Sequence, residues 1–347
     1  MITGGSATEG LFDSPQLARQ VKDWQRSIRF DAALVFCSSM VQYIDPKMDG
    51  QIPWFVDLVD VDSEKWFDYQ RQAQGIKRCL FGLEGCRLQK LERTLQRRCR
   101  AITLTSESEV DLYRRTCPNA NVIAVGNGVD LEYYHPCHDV FDKPLPFQIV
   151  FVGALDYRAN VQSLQWFCDQ CWPLIQQNLP QARLVLVGRN PVQAIKKLTS
   201  DPTVQLVGEV PDIRPYVWQS SIAIAPLQIA RGIQNKVLEA MAMQIPVIAS
   251  PQAIEGIRCC VGTDLLRAKT PRDWATSVVE LLSDPEKQES LAQSGRRFVE
   301  RQHSWEKQLD PLWRLLHTQL DDSAERESGF ISMSSGHSRE PVVLRSR

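Results

Sequence analysis

The sequence predicts an α/β fold in two halves. Short apolar runs rich in Val, Ile and Leu recur along the chain, most are followed by a segment of helical period, and a proline-bearing break at 132–147 separates two such series. Strands that are apolar on both faces and joined through helices build parallel sheets covered on both sides. In the first half the strands are expected at 32–37 (AALVFC), 54–59 (WFVDLV), 101–105 (AITLT) and 121–125 (NVIAV). In the second they are expected at 148–152 (QIVFV), 183–187 (RLVLV), 204–207 (VQLV), 222–225 (IAIA) and 246–249 (PVIA). Helical period marks 14–28, 83–99, 107–116, 160–177, 233–243 and 272–283.

These runs give an N-terminal domain over 1–131, a linker over 132–147 holding Pro136, Pro144 and Pro146, and a C-terminal domain over 148–303. A last helix over 304–321 is expected to cross back to the first domain, and the Ser-rich stretch 322–347 is expected to be disordered. A doubly wound domain usually begins with a strand entering a glycine turn. Gly4 and Gly5 follow no strand, so the first domain is expected to be incomplete at its start.

At 347 residues, 43% of them apolar and 23% charged, the chain suits an ordinary soluble protein with two cores. A net charge of −1 gives no basic excess for nucleic-acid binding. No apolar run approaches the roughly 18–20 residues that span a bilayer. The first residues lack the charged-then-apolar order of a signal peptide, so a cytoplasmic protein is expected. The ten cysteines suggest no disulfide framework. Cys168 and Cys171 form a Cys-x-x-Cys inside a helical stretch, without a second ligand pair, and read as buried thiols.

In an open parallel sheet, ligands bind at the carboxyl ends of the strands. Three such ends of the second half carry glycine beside polar or basic groups: Gly153 to Arg158, Gly188 with Arg189, and Gly232 before the segment Ile233–Ala242. That combination suits a phosphate-bearing ligand. Glycine lets the backbone approach, open helix N–H groups face the anion, and basic side chains neutralise it. In the third loop Asn235, Lys236 and Glu239 share one helical face. Lys236 lies in the first turn, where a positive charge opposes the helix dipole unless an anion is near. Glu239 interrupts an apolar run, and ribose hydroxyls are donors that suit a carboxylate there. A plain Lys–Glu helix pair is the alternative.

The run GIQNKVLEAMAMQIPVIAS at 232–250 resembles the donor-site signature of glycosyltransferase family 4, whose members pair two Rossmann-like domains across a cleft, the GT-B fold. Similar to the same family are SESEVDLYR at 106–114, GNGVDLEYYHP at 126–136, VFVGALDYRANVQSLQWF at 150–167 and VGEVPDIRPYVWQSSIAIAPL at 207–227. Within the family the chain most resembles bacterial sugar transferases associated with exopolysaccharide and exosortase systems. The resemblance implies transfer of a sugar, with retention at the anomeric carbon, from a nucleotide diphosphate to a glycan or lipid-linked acceptor. No cofactor or metal is implied. It places the ribose on Glu239 and the diphosphate at Gly232, Gln234, Asn235 and Lys236. Arg158 stands near a phosphate-binding basic residue of the family, and Gly188 and Arg189 border the base.

Three departures stand out. Many members carry a glutamate eight residues before the position of Glu239, where this chain has Arg231; a guanidinium there suits the leaving diphosphate. The family's N-terminal Gly-rich loop has no counterpart. A histidine that many relatives place after a first-domain strand is replaced by the acidic run Asp57-Leu58-Val59-Asp60-Val61-Asp62-Ser63. Asp60 and Asp62 are candidates for a general base or an acceptor-binding carboxylate. For Asp62 and Ser63 the favoured reading is the N-cap of a helix over 64–74. Residues 77–100 hold eight Lys or Arg against two Glu, which suits either a solvated face or an anionic membrane surface. Rival functions are a non-catalytic nucleotide- or partner-binding relative and a sugar-nucleotide epimerase.

Overall fold

The computed structural model describes residues 5–46, 52–136, 145–230 and 232–328, with side chains of the last helix as far as His317. Two parallel sheets form the frame. The first has the order β1 (Ala33–Phe36), β2 (Trp54–Val59), β3 (Ala101–Leu104), β4 (Val122–Ala124). Its helices are α1 (Ala7–Leu11), α2 (Pro15–Ser27), α3 (Asp62–Gln72), α4 (Gly75–Arg98) and α5 (Glu107–Thr116).

The second sheet has the strands β5 (Leu145–Val152), β6 (Arg183–Val187), β7 (Val204–Gly208), β8 (Ser220–Ala225), β9 (Val247–Ala249) and β10 (Leu266–Arg267). Their order is β10-β9-β8-β5-β6-β7, so the winding reverses between β5 and β8. The helices are α6 (Arg158–Trp166), α7 (Trp172–Asn178), α8 (Gln193–Lys196), α9 (Arg214–Trp218), α10 (Asn235–Ala242), α11 (Pro271–Ser283), α12 (Pro285–Gln302) and α13 (Trp305–Ser328). The two parallel sheets match the two Rossmann-like domains expected of a GT-B fold.

Alternation along each strand explains why this sheet is covered twice. Ile149 and Phe151 of β5, Leu184 and Leu186 of β6, and Ile222 and Ile224 of β8 enter one core with Trp172 and Trp274. Val150, Val185, Val187, Ala223 and Ala225 point the other way, into a core with Leu238, Met241 and Val299. The first sheet has one cluster, around Trp54, Val56, Leu95 and Tyr113.

Several expectations need correction. Strand β5 starts at Leu145, three residues earlier than expected, because it lengthens to pair with β8 through Leu145 and Ser220. The helix at 160–177 is interrupted by a π-turn at Phe167–Cys171, which holds both Cys168 and Cys171; burial pushes each thiol up to about 12. Helix α13 runs to Ser328, beyond Asp322 where disorder was expected; 329–347 lie outside the described residues. Helix α3 begins at Asp62, so neither Asp62 nor Ser63 caps it; Val61 stands at the N-cap without a side-chain bond. Both side chains have distant partners instead. Ser63 donates through N and Oγ to buried Glu92 at 2.9 and 2.6 Å, and Asp62 accepts from Ser38 Oγ at 2.5 Å.

Candidate functional site

The reversal of winding between β5 and β8 opens a crevice at their carboxyl ends, the place where doubly wound sheets bind ligands. Gly153 follows β5 there, and the loop from β8 leads into α10. That loop is pinned at its start: Gln228 N donates to Ser163 Oγ at 3.0 Å, and Ser250 Oγ donates to the Leu227 carbonyl at 2.6 Å. Helix α10 then opens at Asn235, with Gln234 at the N-cap and no side chain closing the cap. Lys236 is therefore in the first turn and Glu239 one turn later, as the spacing requires.

Glycines set the clearance around this opening. A β-carbon on Gly188 would overlap the Gly153 carbonyl, so the ends of β5 and β6 touch through their backbones. A β-carbon on Gly153 would lie 2.8 Å from Lys236 Nζ and 2.9 Å from Asn160 Nδ2. Gly232 has φ +62°, and a β-carbon there would sit 2.7 Å from Asp60 Oδ1 and 3.1 Å from Thr105 Oγ1. Gly232 is thus where the loop before α10 meets the N-terminal domain, and its positive φ favours glycine.

Lys236 is half-buried; its ammonium donates to Asn160 Oδ1 at 2.8 Å and lies 4.3 Å from the centre of the Phe151 ring. Burial draws its pKa down to about 7, while Glu239 counteracts part of that shift. Glu239 is also half-buried, and burial raises its pKa against the lowering effects of a Tyr134 hydrogen bond and of Lys236. Tyr134 comes from the segment between the sheets. Its carbonyl accepts from Arg296 Nη1 at 2.8 Å, and the same Nη1 donates to the Ala242 carbonyl at the end of α10. Asn127, from the same segment, donates to Asn235 Oδ1 at 2.9 Å.

The other predicted donor-side residues lie around this core. Arg158 is exposed at the first position of α6. Arg189 is exposed, and its carbonyl accepts from Leu155 N at 2.9 Å, joining the loops after β5 and β6. Gln234 is half-buried. Arg231 lies outside the described residues.

Across the gap, three carboxylates at the end of β2 are each held by a hydroxyl. Asp57 accepts from Thr103 at 2.9 Å, Asp60 from Thr105 at 3.2 Å, and Asp62 from Ser38. Burial raises Asp57 and Asp62, and the Asp60 charge adds to both. The structure therefore brings Asp60 to the donor loop, with Asp62 further along against Ser38. Among the described residues no group of three or more His, Cys, Asp or Glu is placed to hold a metal ion.

Asn160, Thr105, Asn127 and Tyr134 complete the site and are absent from the sequence-predicted set. They are neutral, so neither charge nor helical spacing singles them out; only the motif segments containing Asn160, Asn127 and Tyr134 give a signal.

Residues 146–284 match the family described as Glycosyl transferases group 1. A 147-residue stretch is 27% identical to Glycosyltransferase 1 domain-containing protein 1 of Xenopus tropicalis, covering 40% of this chain and 41% of that relative's length. The fold is similar to sucrose-phosphate synthase from Thermosynechococcus elongatus (TM-score 0.70, 18% identity, 89% of this chain and 78% of that one). It is also similar to HepE from Anabaena in complex with UDP-glucose (TM-score 0.62, 14% identity, 91% of this chain and 83% of that one). Residues 146–284 are thus similar to group 1 glycosyl transferases, in a chain with the GT-B fold.

Proposed function

We propose that this chain is a glycosyltransferase that moves a sugar from a nucleoside diphosphate to an acceptor hydroxyl. The observation that carries this reading is the opening of α10: it lies at the winding reversal of the second sheet, presents Lys236 and Glu239 on successive turns, and abuts Asp60 of the other domain through Gly232. The diphosphate rests against the first amides of α10, where the helix dipole favours an anion, and Lys236 adds a positive charge. Glu239 accepts from the ribose hydroxyls. Arg158 and Arg189 are the basic groups at the neighbouring strand ends.

Charge develops on the departing diphosphate as the glycosidic bond breaks, and fixed positive dipoles there lower the barrier most. In this reading the helix amides and Lys236 supply that field and no divalent ion is needed. Asp60 orients the acceptor hydroxyl and takes its proton. HepE, of the same fold, was solved with UDP-glucose, which makes UDP-sugars the first donors to test. The likeness of 232–250 to family 4 donor sites supports retention at the anomeric carbon and an exopolysaccharide-type product.

The test is incubation of the full chain with labelled nucleotide sugars, beside Glu239→Ala. Transfer or slow hydrolysis in the wild type, and nucleotide affinity weakened about 10- to 100-fold in a folded variant, are expected for loss of charge-assisted hydrogen bonds. An isomerised sugar, binding without turnover, or an unaffected variant would each overturn this assignment.

A further inference from the structure

The two acids of α4 are both taken out of the surface. Glu84 is 4% exposed and accepts from Ala7 N, Thr8 N and Thr8 Oγ1; Glu92 is 1% exposed and accepts from Ser63. The charge that α4 shows to solvent is therefore wholly basic, with Lys77, Arg78, Lys90, Arg93 and Arg97 exposed. On α3, the neighbouring acids Glu64 and Asp68 pair with Arg71.

The helix also stands proud of its sheet. Ser63, at the start of α3 just after β2 ends, bonds Glu92, so that level marks the carboxyl edge of the sheet. From there α3 and α4 run upward together, antiparallel, with Phe67 against Gly85 and Gln70 against Gly82, while the end of α4 descends to the start of β3. At about 1.5 Å per residue, the stretch from Glu92 back to Gly75 carries the hairpin about 25 Å along the helix axis, on the side of the sheet where Asp60 lies. Near its tip Ile76, Leu80 and Leu83 are 79%, 57% and 50% exposed, spaced to form one stripe. Helix α1, tied to Glu84 on the raised part, adds Leu11 and Phe12 at 84% and 49% exposure.

We propose that the raised α3–α4 hairpin docks on an anionic membrane surface, with Ile76, Leu80 and Leu83 entering the headgroup layer and Lys77 and Arg78 meeting lipid phosphates. An apolar stripe on a helix whose own exposed charges are all basic is complementary to a negatively charged lipid leaflet. The hairpin rises on the same side as Asp60, so docking would set the acceptor side of the proposed transferase toward the lipid. The docking itself does not depend on the sugar-transfer reading.

The full chain is to be sedimented with phosphatidylcholine vesicles, with and without phosphatidylglycerol. Binding that needs phosphatidylglycerol and weakens with added salt is expected. Ile76→Asp with Leu80→Asp, and separately Lys77→Glu with Arg78→Glu, should each weaken it about tenfold or more. Thermal melting of both variants should match the wild type, which certifies folding without reference to the donor site, and UDP affinity, read separately, should be the same in variants and wild type. Wild-type chain that ignores the vesicles, variants that bind as well as wild type, or an Ile76/Leu80-dependent dimer without lipid would overturn the proposal.

Discussion

The two domains meet at the Gly232 loop and are finished differently there. On the C-terminal side the strand ends close with glycines that leave no room: Gly188 on Gly153, and Gly153 on Lys236 and Asn160. On the N-terminal side the end of β2 carries acids, each held by a hydroxyl from an adjoining segment. On the proposed function, the difference follows from what each side would recognise. A pyrophosphate is bound by main-chain N–H groups, which demands close backbone approach and therefore glycine. A hydroxyl-bearing acceptor is recognised by side chains, whose identity can change without rebuilding the backbone. Packing follows the same division. The six-stranded sheet has a core on each face, whereas the four-stranded one leaves Leu34 and Phe36 of its edge strand 52% and 62% exposed.

The sharpest way to break this contrast is Gly188→Ala. Its new methyl must force β5 and β6 apart, so a loss of about 3 kcal/mol is expected in urea unfolding. Unchanged stability would show that the donor side has slack after all. Asp60→Asn addresses the opposite side: turnover should fall about a hundredfold while UDP affinity stays within about twofold. A parallel loss of affinity would move Asp60 into donor binding.

Glu92 separates the domains by pH. Burial raises its carboxyl to about 7 from an ordinary value of 4.5. The folded chain then keeps a proton that the unfolded chain has shed. Its contribution is full below the ordinary carboxyl range and is lost as pH rises through 7, about 3 kcal/mol. Glu92→Gln should flatten that dependence in pH-resolved melting of the N-terminal domain. The mildest effect concerns Lys236, whose ammonium is present below about 7 and fades above it. UDP affinity should fall several-fold between pH 6.5 and 8.5 by calorimetry, roughly as expected for one ionising contact, and Lys236→Met should bind more weakly with a flatter profile.

Much of this frame was legible because buried parallel strands announce themselves as unbroken apolar runs. Among the described residues nine strands stand where the runs placed them within a few residues, and the two-residue β10 was too short to show. Helix α4 starts eight residues earlier than its periodicity suggested, because Gly82 and Gly85 serve contact with α3 and break the apolar pattern. In the site, Lys236 and Glu239 were conspicuous as charges in an apolar run. Asn160 was not, since an amide that earns its place by meeting an ammonium 76 residues away leaves no local trace. Ser63 misled for the same reason: its partner Glu92 lies 29 residues on, and a serine beside a helix start looks like a cap.

Tyr134 rides on the strap joining the lobes, yet its phenol holds the carboxylate assigned to the nucleoside. Arg296 fastens the same strap to the far end of α10. A ribose bound at Glu239, as proposed, would share that carboxylate with the phenol. The residue assigned to the nucleoside would then be steadied by the segment between the sheets as well as by its own helix.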